Sequence, residues 1–262
     1  MTKSDLVKQQ CKTLKLASLI TAIDDIIHNA EKEQCSYLEL VNKLMDNEIQ
    51  NRKAKDMENR KKNAKLPLEY NLDLYDHSLD NGLQPAQIKQ IRELKWLEQG
   101  YNMIFMGPSG TGKTFLAAGL CFDAIEQGYR AYFKTMEDII RVLKMKDVTR
   151  SAANEYKRII KAHLLVIDDI MMFPVTKQDA VSFFNLINEL HGKTSLIITT
   201  NKSPKEWADF IEDSVVVTAI LDRILFRCDI VKLKGLGYRM TNRSNFFEFN
   251  KMGYPINTRD FR

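Results

Sequence analysis

Residues 102–114 read NMIFMGPSGTGKT, and the fold follows from this stretch. The first half is a short apolar run that reads as a buried strand. The second half, residues 107–114, satisfies G-x-x-x-x-G-K-[ST] in full, and a helical pattern from Thr114 to Gln127 follows at once. Strand, glycine-rich turn and helix are the context in which this spacing folds around an anion. Gly107, Gly110 and Gly112 let the backbone turn its N–H groups inward. The helix N-terminus adds partial positive charge. Lys113 is spaced to reach the β- and γ-phosphates of a nucleotide, and the Thr114 hydroxyl to ligate Mg²⁺. The residues expected at the nucleotide are Gly107, Pro108, Ser109, Gly110, Thr111, Gly112, Lys113, Thr114 and Phe115.

Downstream, four further apolar runs at 130–135, 163–170, 194–200 and 228–234 alternate with helical stretches. Capping signals open those helices: Thr135 with Asp138, Thr176 with Asp179, and Ser203 with Pro204 and Glu206. Buried strands alternating with helices imply an α/β fold, a five-stranded parallel sheet between helices. The run 163–170, HLLVIDDI, ends in two carboxylates. Asp168 is the candidate for the metal, opposite Thr114, and Asp169 the candidate to polarise an attacking water. The next strand ends in Thr199-Thr200-Asn201, and Asn201 can hold that water. Arg223 and Arg239 each offer a cation to a γ-phosphate. By spacing alone each reads equally as a surface ion pair. Tyr75 and its apolar neighbours in 72–79 read equally as an adenine pocket or as core.

Upstream, residues 1–66 read as a small all-helical domain. Leu16, Leu19, Ile20, Ile23, Ile26, Ile27 and Ala30 form one amphipathic face. Ser36 and Glu39 make a capping box ahead of a second helix, expected to turn Leu40, Val41, Leu44 and Met45 inward. That helix runs on into a basic stretch until Pro67 forces its end. Residues 67–100 connect, with breakers at Asn81-Gly82 and Pro85 and a helix around 86–98. The second domain spans 67–262.

The charge is uneven. Residues 50–65 hold seven basic and two acidic residues, and so do residues 230–262, leaving 25 basic and 30 acidic residues elsewhere in a chain of net charge +5. Two basic segments on a mildly acidic body suit a polyanionic partner, nucleic acid before membrane. No apolar run approaches the ~18 residues that span a bilayer, and the N-terminus MTKSDLVKQQCK has no secretory apolar core. The four cysteines form no C-x-x-C pair, so neither a zinc site nor a disulfide framework is indicated, and a cytoplasmic location is expected.

Taken in order, KTLKLASLITAIDDIIHNA, SYLELVNKLMDNEIQNRKAK, residues 83–133, HLLVIDDI, SLIITTNKSPKEWADF, ILDRIL and GLGYRM resemble the IstB-type ATPases, transposition helpers of bacterial insertion sequences. These are P-loop NTPases of the AAA+ class, related to DnaC-type helicase loaders. The resemblance implies ATP and Mg²⁺ as cofactors, held by residues 107–114 and by Thr114 with Asp168. It implies a first sensor at Asn201, an arginine finger at Arg223 acting on a neighbouring subunit, and a second sensor at Arg239. It also implies a ring or helical homo-oligomer, controlled by ATP, that assembles on double-stranded DNA largely without reading sequence and regulates a partner transposase. The alternative is a replicative helicase loader gripping single-stranded DNA. A small-molecule kinase would need an arginine-rich lid, and the basic N-terminal domain argues against it. Three departures stand out. Asp169 replaces the family's usual glutamate, which implies slow hydrolysis with retained binding. Ser109 replaces a proline of the loop. The lid is truncated, with 28 residues left after residue 234.

Overall fold

Each apolar run becomes a parallel strand in the computed structural model of the chain, which describes residues 2–68, 70–75, 82–172, 175–209, 211 and 213–235. The strands are β1 (Asn102–Met106), β2 (Ala131–Thr135), β3 (Leu164–Asp168), β4 (Ser195–Thr200) and β5 (Cys228–Lys232). They pair in the order β2-β3-β4-β1-β5, all parallel. Strand side chains alternate between faces. Met103, Phe105, Leu164, Val166 and Ile197 pack with α6 (Lys113–Glu126) on one face. Ile104, Leu165, Ile167, Leu196 and Ile198 pack on the other with α7 (Met136–Met145), α9 (Lys177–Leu190) and α10 (Ser214–Leu225). A further helix, α8 (Arg150–Ile159), adds Ile159 to that second layer.

The caps work locally. Thr135 accepts from Asp138 N–H at 3.1 Å and Thr176 from Asp179 N–H at 3.3 Å. Ser203 pairs with Glu206, but this signal opens only a 3-10 turn over Pro204–Asp209, and Asp213 caps α10 instead. The helix expected around 86–98 is split into α4 (Pro85–Arg92) and α5 (Lys95–Glu98), because Leu94 between them adopts φ +58° while its side chain is fully buried. Burial of one leucine outweighs the ~1–2 kcal/mol that the left-handed backbone costs a non-glycine residue. Arg92 at the end of α4 binds Asp123 on α6 and Asp73 in a 3-10 turn at 72–74.

The contact pattern divides the chain into Met1–Asn63 and Ala64–Arg262. The first unit contains α1 (Lys3–Thr13), α2 (Ala17–Lys32) and most of α3 (Tyr37–Ala64). Its core is Cys11, Leu19 and Ile23, flanked by Leu16, Ile20, Ile26, Ile27 and Leu44. The Ser36–Glu39 box caps α3, which ends at Ala64 with Lys65 at φ +56°. Val41 and Met45, expected inward, are exposed. Ser18 donates to the buried Glu48 carboxylate, so the inward stripe of α3 runs through Leu40, Leu44 and Glu48. Val41 and Met45 sit one residue, roughly 100°, around the helix from that stripe. Cys11, Cys35, Cys121 and Cys228 are all free. No helix of the described residues is long and apolar enough to cross a membrane.

Gly119 tests how tightly the α6 layer is packed. A Cβ there would lie 2.2 Å from Cγ of Leu72, itself buried. Helix propensity favours alanine by ~1 kcal/mol, whereas overpacking costs ~1–3 kcal/mol. Gly119→Ala is expected to destabilise the protein by about 1–2 kcal/mol in urea titration, and Leu72→Ala in the same chain to relieve part of the strain.

Candidate nucleotide-binding site

The loop between β1 and α6 is clamped from both sides. Gly107 N–H donates to the Thr200 carbonyl at 3.2 Å, and Leu233 N–H donates to the Met106 carbonyl at 2.7 Å. The chain passes so close that a Cβ on Gly107 would stand 2.4 Å from the Leu233 carbonyl oxygen. Gly112 caps α6 at φ +90°, a left-handed conformation that a side chain resists. Thr111 donates to the Pro108 carbonyl at 2.9 Å. The buried Lys113 ammonium lies back across the loop and donates to the Gly107 and Pro108 carbonyls at 2.9 and 2.8 Å. Phe115, in the first turn of α6, stacks on Tyr75 with ring centroids 6.1 Å apart.

At the carboxyl end of β3, Asp168 Oδ1 accepts the Thr114 hydroxyl at 3.1 Å and also the Thr199 hydroxyl. Thr199 Oγ1 in turn accepts Asp169 N–H at 2.9 Å, and its carbonyl accepts Ile170 N–H at 3.0 Å. Two non-glycine residues here, Asp169 and Met171, adopt φ +54° and +55°. Such residues store about 1–3 kcal/mol each and are tolerated only where surroundings fix them. Burial lifts the Asp168 carboxyl above the usual carboxylate range, and neighbouring Asp169 adds to the rise; the Thr199 and Thr114 hydroxyls and Lys113 oppose it.

Lys113, Thr114, Asp168 and Asp169 thus gather at the carboxyl edge of the sheet. Asn201 lies one residue beyond β4, exposed, and the hydroxyl that meets the Asp168 carboxylate and the Asp169 N–H belongs to Thr199. Its signal in the sequence is a hydroxyl that directly follows the apolar run 196–198, which once fully buried must find partners. Arg223 is at the other end of the sheet. It is held by Asn188 Oδ1 at 2.7 Å, by the Ala219 carbonyl and over the Phe184 ring. It lines a cavity of about 390 Å³ with Asn102, Leu196 and His191, next to the start of β1. A five-residue strand is roughly 16 Å long, so the structure does not bring Arg223 to the loop of its own chain. Arg239 lies outside the described residues, as do residues 76–79 of the proposed adenine pocket.

The donor set suits a hard divalent cation. One hydroxyl and one carboxylate oxygen converge beside an ammonium and a helix N-terminus, and Mg²⁺ characteristically keeps several waters with only one or two protein ligands. Among the described residues no group of three or more His, Cys, Asp or Glu offers a protein-only cage.

Residues 9–246 match the family model of the IstB-like ATP binding proteins. The ATP-binding protein of an IS21-like insertion sequence from Bacteroides fragilis is 43% identical over 94% of this chain and 93% of its own length. The IS21 insertion-sequence ATP-binding protein of Pseudomonas aeruginosa is 29% identical, covering 93% of this chain and 92% of that one. Among solved structures, the DnaC helicase loader superposes on 63% of this chain and 96% of its own with a TM-score of 0.51 at 22% identity, a likeness of fold. The second unit therefore shares the fold of that structure, a five-stranded parallel sheet between helices.

The raised Asp168 pKa sets a sign. A carboxyl whose folded pKa is raised contributes stability below its unfolded value and loses it as pH rises through the folded value. At neutral pH the ionised group therefore burdens the fold. Asp168→Asn keeps an acceptor for both threonine hydroxyls and removes the charge. It is expected to raise Tm at neutral pH, with the gain over wild type shrinking toward about pH 4 as Asp168 itself protonates. Thermal melts across that range check this, and a lower Tm at neutral pH would contradict it.

Proposed function

Because the chain belongs to the IstB-like ATP-binding family, we propose that it is an ATP-hydrolysing helper of DNA transposition, assembling on double-stranded DNA under ATP control and regulating a transposase. The observation that carries this reading is the convergence of Lys113, Thr114 and Asp168 beside the clamped loop. The insertion-sequence relatives support transposition over helicase loading, since the likeness to DnaC is one of fold alone.

In this reading residues 107–114 wrap the phosphates with backbone N–H groups, and Phe115 follows them into the first turn of α6. Lys113 exchanges the Gly107 and Pro108 carbonyls for β- and γ-phosphate oxygens. Thr114 and Asp168 hold Mg²⁺, which neutralises charge on the phosphates when bound. A cation held there would favour the ionised form of Asp168 that burial disfavours. Asp169 orients the attacking water. Its backbone is pinned by Thr199, and its side chain is one methylene shorter than a glutamate, so the carboxylate stands back and turnover is slow. Asn201, beside the loop, assists that water. Arg223, remote from its own loop, acts on the nucleotide of a neighbouring subunit, and this requires a ring or helical assembly. Arg239 is assigned the second sensor by family resemblance alone.

The basic half of α3 and the segment after β2 are the proposed phosphate-backbone contacts. On that segment Arg141 pairs with Asp138, Lys144 with Asp179 at 2.9 Å, and Lys146 lies over Tyr156, while Arg150 opens α8 exposed. Contacts of this kind fix position without reading bases.

ATP hydrolysis by the purified chain, with and without duplex DNA, tests this reading. Slow turnover is expected, stimulated by duplexes of unrelated sequence and abolished in Lys113→Ala. Asp169→Glu should raise kcat by about tenfold or more. Arg223→Ala should lower it by about 10³-fold, with partial recovery on mixing with Lys113→Ala chains, which supply the arginine in trans. Turnover indifferent to Lys113→Ala and to DNA would refute the assignment.

A further inference from the structure

Helices α9 and α10 contribute Phe183, Leu186, Ile187, Ile220 and Ile224 to one buried apolar layer. Phe184 and Asn188 stand one turn apart on α9, so they share a face beside that layer. Both reach Arg223 on α10. Asn188 Oδ1 accepts its Nε–H at 2.7 Å, and its guanidinium carbon lies 4.7 Å from the centroid of the Phe184 ring. Nη1 donates to the Ala219 carbonyl, one turn back on α10, at 3.0 Å. A guanidinium carries five N–H groups. Two are engaged here, and the others, including both on Nη2, have no acceptor among the described residues.

Every group in that cradle is neutral. Arg52, Arg60, Arg92 and Arg141 are paired with the carboxylates of Glu48, Asp56, Asp123 and Asp138. Arg223 forms no ion pair among the described residues. Glu98, a carboxylate that lines the same cavity, accepts the Tyr129 hydroxyl instead. A carboxylate in place of the amide would hold the guanidinium more strongly and neutralise it. An amide oxygen fixes its direction and leaves the charge for an anion from outside. We infer that Asn188 is the positioning residue for Arg223: with the Phe184 face, its neutral oxygen presets the guanidinium for the phosphates of a neighbouring subunit's nucleotide without cancelling its charge. This rests on the proposed action of Arg223 on a neighbour. A long side chain ordered in advance loses less freedom when the neighbour arrives, and a donor already aimed needs no reorganisation during the reaction.

The test replaces the amide with an acid of the same shape in the full chain. Asn188 is exposed, so Asn188→Asp and Asn188→Ala should leave the circular dichroism spectrum unchanged. Asn188→Asp pairs with Arg223 and should keep Tm at or above the wild-type value, yet lower kcat by about 10²-fold. Asn188→Ala frees the guanidinium and should lower kcat by about tenfold. A purely structural role predicts the reverse order, with the acid harmless. The defect must also travel with the arginine. Lys113→Ala chains should partly restore turnover to Arg223→Ala chains, and Lys113→Ala chains that also carry Asn188→Asp should not. If Arg223→Ala lowers kcat while Asn188→Asp turns over like wild type, or if the doubly substituted chains restore turnover as well as Lys113→Ala alone, the positioning role is overturned and the arginine in trans stands. A Tm for Asn188→Asp that falls along with kcat would likewise overturn it. If Arg223→Ala leaves kcat unchanged, both the role and the reading beneath it fall.

Discussion

One oxygen atom, Oδ1 of Asp168, receives hydroxyls from two other elements: Thr114 at the start of α6 and Thr199 near the end of β4. The carboxylate is buried, and burial makes its charge costly. The fold accepts that cost and adds two left-handed residues just after it, Asp169 and Met171. Groups that work against stability at a shared point on the sheet edge are characteristic of a site shaped for a ligand rather than for stability. A cation placed between Thr114 and Asp168 would relieve the same charge.

The rest of the architecture holds that point in place. The chain leaves β1 across one face through α6 to reach β2, and leaves β4 across the other face through α10 to reach β5. Its direction across the sheet reverses next to β1, and ligands of open parallel sheets bind at such a reversal, beyond the carboxyl ends of the strands. Thr200 on one side and Leu233 on the other grip the loop through backbone hydrogen bonds, so its conformation does not rest on the ligand alone. Arg223 is fastened equally firmly at the opposite edge, by Asn188 and the Phe184 ring.

Legibility in the sequence followed the range of the interactions involved. The glycine-rich turn between β1 and α6, the five strands and the caps at Thr135 and Thr176 rest on local spacing and are readable from it. The Ser203 signal was real as a hydrogen bond, but no apolar period followed to extend its turn. The break at Leu94 could not be seen, since no glycine or proline marks it and tertiary burial imposes it. On α3, Leu40 and Leu44 lie on the inward stripe as expected, but Val41 and Met45 do not, because that stripe continues through a charged side chain, Glu48, which a hydrophobic pattern overlooks. The same limit hid Thr199. Reading the end of β4 for an exposed polar group selects Asn201, whereas the buried hydroxyl two positions earlier contacts both aspartates.

Calorimetric titration of the purified chain with a non-hydrolysable ATP analogue, in Mg²⁺ and again with excess EDTA, bears most directly on the shared Asp168 oxygen. Binding should be clear with the metal, fall steeply without it, and become indifferent to the metal in Asp168→Asn. Equal affinity with and without Mg²⁺ in the wild-type chain, or no binding under either condition, would contradict the account.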